Sequence, residues 1–506
     1  AFYFKISFPG VMIKSTMKKI IKNYWPLIVI VLLIAGFLRF YQITELPPGF
    51  YPDEAMNANN GIEAWETGHF KVFYPENNGR EGLWMNIVGF FTFKFGHEPW
   101  IPRAAAAGFG LFTVLGVYFL TKELFSRKIA LLSSFLIATS FWHINFSRIS
   151  FRAILAPFFL VWALYFLVKF LKEARSNGKT KDLLLAVIGG VFYGLGVHTY
   201  IAYRVTPVLI LIILFFYWFQ NKDRDYRRKI AIPVACFLIS AFIAAAPLLW
   251  YFLNNPQDFL GRTSQISVFN SPSPVKALAI NTFKTLGMFN FTGDNNWRHN
   301  YAGRPELFWP VGILFLLGIF LGIKAIIKKK RIFEYTVLFG WLVLAALPVI
   351  VSNEGLPHAL RAILMAPPVF ILAGIGGIWL YKIFFGMIQN KKALNIFVFV
   401  FLSLLVFEAY TTYFILWGQN RNAAGAFSAD YMAIGRQLNA LPKETPKYVI
   451  VKASGALVNG IPMPAQTVMF ITDTFSPEKQ KEKNIFYVLP EQINQIPENG
   501  YKVILE

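Results

Sequence analysis

The strongest constraint in this chain is its rhythm of apolar runs. About eleven stretches, near 25–42, 100–121, 129–146, 154–172, 183–200, 205–220, 230–252, 307–326, 333–352, 361–384 and 394–417, approach the length needed to cross a bilayer, roughly 20 residues. Of 506 residues, 56% are hydrophobic and only 15% charged, against about 25% charged in ordinary soluble domains. The fold class predicted is an all-α polytopic membrane protein. Disordered, collagenous and coiled-coil chains are excluded. The single cysteine, Cys236, lies in an apolar run, which rules out a disulfide framework and a cysteine-based zinc site.

Charge sets the expected sidedness. Lys and Arg exceed Asp and Glu by 49 to 27, a net +22. The basic residues gather between apolar runs: Lys122/Arg127/Lys128, Lys172/Arg175/Lys179/Lys181, Lys222 to Lys229, Lys328 to Arg331, and Lys391/Lys392. With a cytoplasmic N-terminus, all five clusters fall inside the cell, as the positive-inside rule requires. This holds only if residues 82–96, about 15 residues carrying Lys94, lie along the interface without crossing. The positive charge then reports topology, and no nucleic-acid partner is expected.

At the N-terminus, Met12 and Met17 offer alternative starts, so residues 1–16 are set aside as non-native extension within a cytoplasmic segment 1–24. Lys18, Lys19 and Lys22 precede the first apolar run, but no small-residue cleavage site follows it, so it reads as an uncleaved span. A transmembrane domain is expected over 25–417, with outer loops at 43–99 and 253–306. A small extracytoplasmic α/β domain is expected over 418–506, with a helix at 428–441 capped by Ser428. Strands are expected at 448–451, 467–471, 485–488 and 501–505.

The polar residues with chemistry fall on the outer side of this topology. Asp53 and Glu54 follow a proline turn just beyond the first span, where a carboxylate can serve as a general base or simply cap a helix. Arg148, Arg152, Arg204, Arg298 and Arg361 run against the usual charge bias of outer loops. Guanidinium forks bind phosphate bidentately, although they also snorkel to lipid headgroups. His143, His198, His299 and His358 share this face without tight metal spacing, so no metal site is expected. Tyr200 and Trp297 accompany them. Glu408 lies inside the last run, where an acid is either functional or paired with a neighbouring helix.

The ordered set of these features resembles the GT-C class of integral membrane glycosyltransferases. It is similar to the protein O-mannosyltransferases and lipid A aminoarabinose transferases, which are glycosyltransferase family 39-like. The residues that carry the resemblance are Pro52-Asp53-Glu54 and Arg80 entering a segment that ends at Phe95-Gly96. Further matches are Leu155-Ala156-Pro157-Phe158, Gly196-Val197-His198-Thr199, and Leu356-Pro357 with Ala366-Pro367 beyond. The likeness spans about residues 25–420. It implies transfer of a sugar from a polyprenyl-phosphate donor to a protein, lipid or glycan acceptor at the outer face of a bacterial or archaeal plasma membrane. Asp53 would be the base, with Glu54 in support. Arg80, Arg204, Arg298 and Arg361 would bind the donor phosphate. Glu81, Arg152, His198, Tyr200, Trp297, His299 and His358 are further pocket candidates. Relatives carry an acid where this chain has Ala156, and some carry one where it has Gly79. No cofactor is therefore expected, and a second base-orienting acid is in doubt. A lipid or solute transporter and a non-catalytic membrane scaffold remain open as other classes.

Overall fold

The computed structural model describes residues 24–173 and 179–506. Met12, Met17, Lys18, Lys19, Lys22 and Arg175 lie outside the described residues. Among those described, nine helices are long and apolar enough to cross a membrane. In the order of the chain they contain α4 (Trp100–Leu124), α7 (Leu155–Glu173), α8 (Lys179–Val197), α9 (Thr206–Gln220) and α10 (Arg224–Asn254). They continue with α13 (Trp309–Ile327), α14 (Ile332–Ile350), α15 (Ala366–Met387) and α16 (Lys391–Tyr410), which runs on as π-helix over Thr411–Trp417.

Two of the eleven expected runs take another form among the described residues. The first run forms α1 (Trp25–Phe40), with only 16 residues or about 24 Å of helix. The run at 129–146 is not one straight helix but two, α5 (Arg127–Ala138) and α6 (Phe141–Arg148), bent by 60°. Counting that pair as one span gives ten. The break has a local cause. Arg39 Nη1 donates to Ala138 O at 3.1 Å and Nη2 to Ile137 O at 3.4 Å. A buried guanidinium thus takes the last carbonyls of α5, where a helix favours a cation. Thr139 Oγ1 also donates back to Phe135 O at 3.0 Å, a bond that bends helices.

Between α1 and α4 the chain builds a compact layer. It comprises α2 (Pro52–Thr67), the two-residue strands β1 (Phe73–Tyr74) and β2 (Arg80–Glu81), and α3 (Leu83–Phe95). At 13 residues, α3 spans about 20 Å, less than the ~30 Å of a hydrocarbon core. A Cβ on Gly61 would stand 2.2 Å from Met85 O, and one on Gly89 would stand 2.3 Å from Gly61. Two glycines therefore let α2 and α3 touch backbone to backbone.

The segment after α10 forms α11 (Pro256–Gln265) and α12 (Pro274–Gly287). Beyond α16 come α17 (Arg421–Ala426), α18 (Ala429–Ala440) and a small α/β layer. Its three-stranded parallel sheet has the order β6–β3–β7, made of β3 (Lys447–Val451), β6 (Ile485–Val488) and β7 (Tyr501–Leu505). Between β3 and β6 lie the hairpin β4 (Leu457–Val458) and β5 (Ile461–Pro462), then helices α19 (Ala465–Thr472) and α20 (Pro477–Lys483). Two expectations fail here. Ser428 makes no side-chain cap and sits at φ +53°. The stretch expected as a strand at 467–471 is the helix α19. A helix lets its residues face two ways: Val468 and Met469 join the cluster around the sheet, while Phe470 packs on Phe50.

Candidate functional site

Segments at residues 51–81, 151–153, 200–204, 258–299 and 354–361 line one cavity of about 400 Å³. These are the segments that the charge pattern assigns to a common face, and they meet at one end of the helix bundle. Asp53 opens α2, behind Pro52 at its first position. Its Oδ1 accepts from Asn77 Nδ2 at 2.7 Å, and the residue is only partly buried.

Arg80 is fixed by amides and not by acids. Its Nη1 donates to Asn57 Oδ1 at 2.9 Å and its Nη2 to Asn60 Oδ1 at 2.7 Å. Asn57 and Asn60 follow Asp53 by one and two turns of α2, so a single helix presents the carboxylate and holds the cation. No ion pair of Arg80 within 4.0 Å is found among the described residues. Burial, then the neighbouring Arg152, pushes its guanidinium down to about 10, while Asp53 works the other way; it stays charged at neutral pH. Arg298 is similar in kind. Its guanidinium lies 4.0 Å from the Tyr51 ring centre, a cation–π contact that leaves the charge uncancelled. Burial, then Asp53, pushes the Tyr51 phenol up to about 12.

The other arginines of the cavity are engaged by carboxylates. Glu81 bridges Arg152 at 3.1 Å and Arg204 at 3.4 Å. Arg361 pairs with Glu354 at 2.6 Å. Tyr200 lines the cavity beneath Arg152, whose guanidinium lies 5.7 Å from its ring centre.

Three candidates sit elsewhere. Glu54 is buried and does not line the cavity. It pairs with Arg103 at 3.0 Å, accepts from Ser150 N at 2.9 Å and from Tyr51 N at 3.2 Å. Its carboxylate therefore locks the turn that carries Asp53 and does not face the cavity itself. His198 gives Nε2 to Ala244 O at 2.9 Å; burial lowers its pKa. Trp297 packs against Tyr301 with the rings tilted, and its carbonyl accepts from Trp417.

Asp294 carries no signal in the sequence, yet it organises one wall. Its Oδ2 meets His299 Nδ1 at 2.9 Å and Ala359 N at 2.8 Å, with His358 Nδ1 at 3.9 Å. Burial lowers the His299 pKa, against the pull of Asp294. Ligand atoms of Asp294, His299 and His358 lie within 4.8 Å of one another. Two imidazoles and a carboxylate suit a zinc-like ion, so the donor set fits a metal that the histidine spacing does not predict.

Residues 84–251 match the family model described as dolichyl-phosphate-mannose-protein mannosyltransferase. The matched stretch begins after β2 and leaves out Asp53 and Arg80. No curated protein matches the chain. Among solved structures, ArnT from Cupriavidus metallidurans bound to undecaprenyl phosphate superposes with TM-score 0.55 at 14% identity, covering 94% of this chain and 92% of that one. Its apo form gives TM-score 0.52 at 14% identity, covering 88% and 84%. An oligosaccharyltransferase, AglB from Archaeoglobus fulgidus, in complex with an inhibitory peptide and a dolichol-phosphate, gives TM-score 0.52 at 16% identity, covering 89% and 64%.

The fold is that of the GT-C glycosyltransferases.

The chain spans just under two thirds of the length of the AglB structure but nearly all of ArnT. The resemblance to the GT-C class is upheld by these findings, as is the mostly helical membrane architecture.

Proposed function

We propose that this chain is a membrane glycosyltransferase that takes a sugar from a polyprenyl-phosphate donor and passes it to an acceptor at the outer face of the membrane. The observation that carries this reading is that a partly exposed Asp53 shares its cavity with two cations, Arg80 and Arg298, for which no ion pair within 4.0 Å is found among the described residues. An anionic phosphate would find both guanidinium groups free of a direct carboxylate contact among the described residues. Their charge would offset the negative charge that grows on the leaving phosphate, the kind of electrostatic stabilisation that is usually the largest catalytic contribution. Asp53 would take the proton of the attacking acceptor, anchored by Asn77. Glu81, Arg152 and Arg204 would form a polar floor, and Glu54 would act as a positioning residue through Tyr51. Should a divalent ion bind, Asp294, His299 and His358 would hold it, and it would add positive charge to the cavity.

Similar structures hold undecaprenyl phosphate and a dolichol-phosphate, which supports this donor class. Asp53→Asn should lower transfer by about 10²–10⁴-fold, the usual range for a general base, with donor binding and folding kept. Turnover near wild type in that variant rejects Asp53 as the base. Movement of a lipid across liposomes without covalent transfer would favour a transporter instead.

A further inference from the structure

A second cavity, of about 150 Å³, shares no lining residue with the first. The turn of residues 294–306 separates them: Asn296, Arg298 and His299 line one side, Arg304 and Glu306 the other. The second cavity opens between α13, α16 and the break that separates α5 from α6. Around it Trp309, Phe407 and Leu404 are strongly exposed, as side chains facing lipid would be.

Three charged groups meet there. Arg304 Nη2 lies 3.5 Å from Glu408 Oε1, and its Nη1 donates to Thr412 Oγ1 at 3.2 Å. Thr412 in turn donates to Glu408 Oε1 at 2.8 Å. The third group is Glu306, 4% exposed. Its Oε1 accepts from Asp294 N at 2.9 Å, but its Oε2 is buried with no hydrogen-bond partner among the described residues. A buried polar atom left without a partner costs about 1–3 kcal/mol, so it calls for an explanation. The π-helix that ends α16 places Thr412 here, and such insertions are frequent at functional sites.

The geometry points to a binding site for a phospholipid headgroup bearing a primary ammonium beside a phosphate, that is, phosphoethanolamine. The ammonium donates to Glu306 Oε2 and to Glu408, and the phosphate takes Arg304. Two acids against one guanidinium disfavour a purely anionic headgroup. A quaternary ammonium has no N–H to give Glu306. The site is reached from the bilayer, because α13 and α16 are both spans. It stands independently of the proposed glycosyl transfer.

The test is native mass spectrometry of the full chain released from nanodiscs of phosphatidylcholine with equal parts phosphatidylethanolamine and phosphatidylglycerol. The expected result is retention of phosphatidylethanolamine over both other lipids, reduced at least fivefold in Glu306→Gln and in Glu408→Gln. Should Glu306→Gln fail to fold, Glu408→Gln decides, since Glu408 is partly exposed. Equal retention of phosphatidylglycerol, or retention unchanged in the folded variants, overturns the assignment.

Discussion

Arg80 is held by Asn57 and Asn60, whose oxygens sit 2.9 and 2.7 Å from its two terminal nitrogens. Neutral amides fix a guanidinium without cancelling its charge, whereas a carboxylate would do both. A lysine cannot span the two oxygens with a planar fork. Arg80→Lys should therefore weaken polyprenyl-phosphate binding about tenfold, roughly the 1.4 kcal/mol of one charge-assisted bond, as read by titration with the phosphate lipid. Loss of turnover with unchanged lipid affinity would contradict that role. A second prediction concerns His198, whose pKa is lowered by burial against the bond to Ala244. The unfolded chain then binds this proton more readily than the folded one, from about pH 6.5 downwards. Stability attributable to His198 should be intact above that pH and lost as pH falls below it. Thermal unfolding in detergent between pH 7.5 and 5 should show this slope, and His198→Gln should flatten it.

At the scale of elements, the α2–α3 contact governs where Arg80 stands, since β2 feeds directly into α3. Gly61→Ala would put a methyl 2.2 Å from Met85 O, and the helices would have to separate. The expected outcome is a loss of about 1–3 kcal/mol, together with reduced transfer. Gly36→Ala, with nothing within 4 Å, is the control that should leave both unchanged. Much of this level is legible in the sequence. The apolar runs lie close to the helices, and the strands at 485–488 and 501–505 match β6 and β7. What escaped has physical causes. The bend after Ala138 depends on Arg39, a residue 99 positions away that takes that carbonyl. The stretch at 467–471 is rich in strand-forming residues, yet packing on two surfaces at once makes it helical. Asn57, Asn60 and Asp294 carry no motif. Their roles exist only once the chain has brought Arg80, His299 and His358 to them.

For the whole molecule, the sequence conveyed the grouping of loops better than the number of spans. Charge parity placed residues 51–54, 200–204 and 352–360 together, and members of all three line one cavity. Sidedness itself is open to experiment. Reporter fusions at residues 68 and 355 should read outside and one at 329 inside, and the reverse pattern would put the cavity in the cytosol and end the proposed donor chemistry. The last layer of the fold bears directly on the first. Asn59 Nδ2 donates to Gln466 Oε1 at 3.0 Å across 407 residues, and Thr467 Oγ1 donates to Phe50 O at 2.8 Å. Phe50 packs on Phe470 beside them. The helix that carries Asp53 is made well before the helix behind it, since 407 residues separate Asn59 from Gln466. A nascent chain would hold its aspartate and arginines before their geometry is set, so competence would wait for α19 to dock.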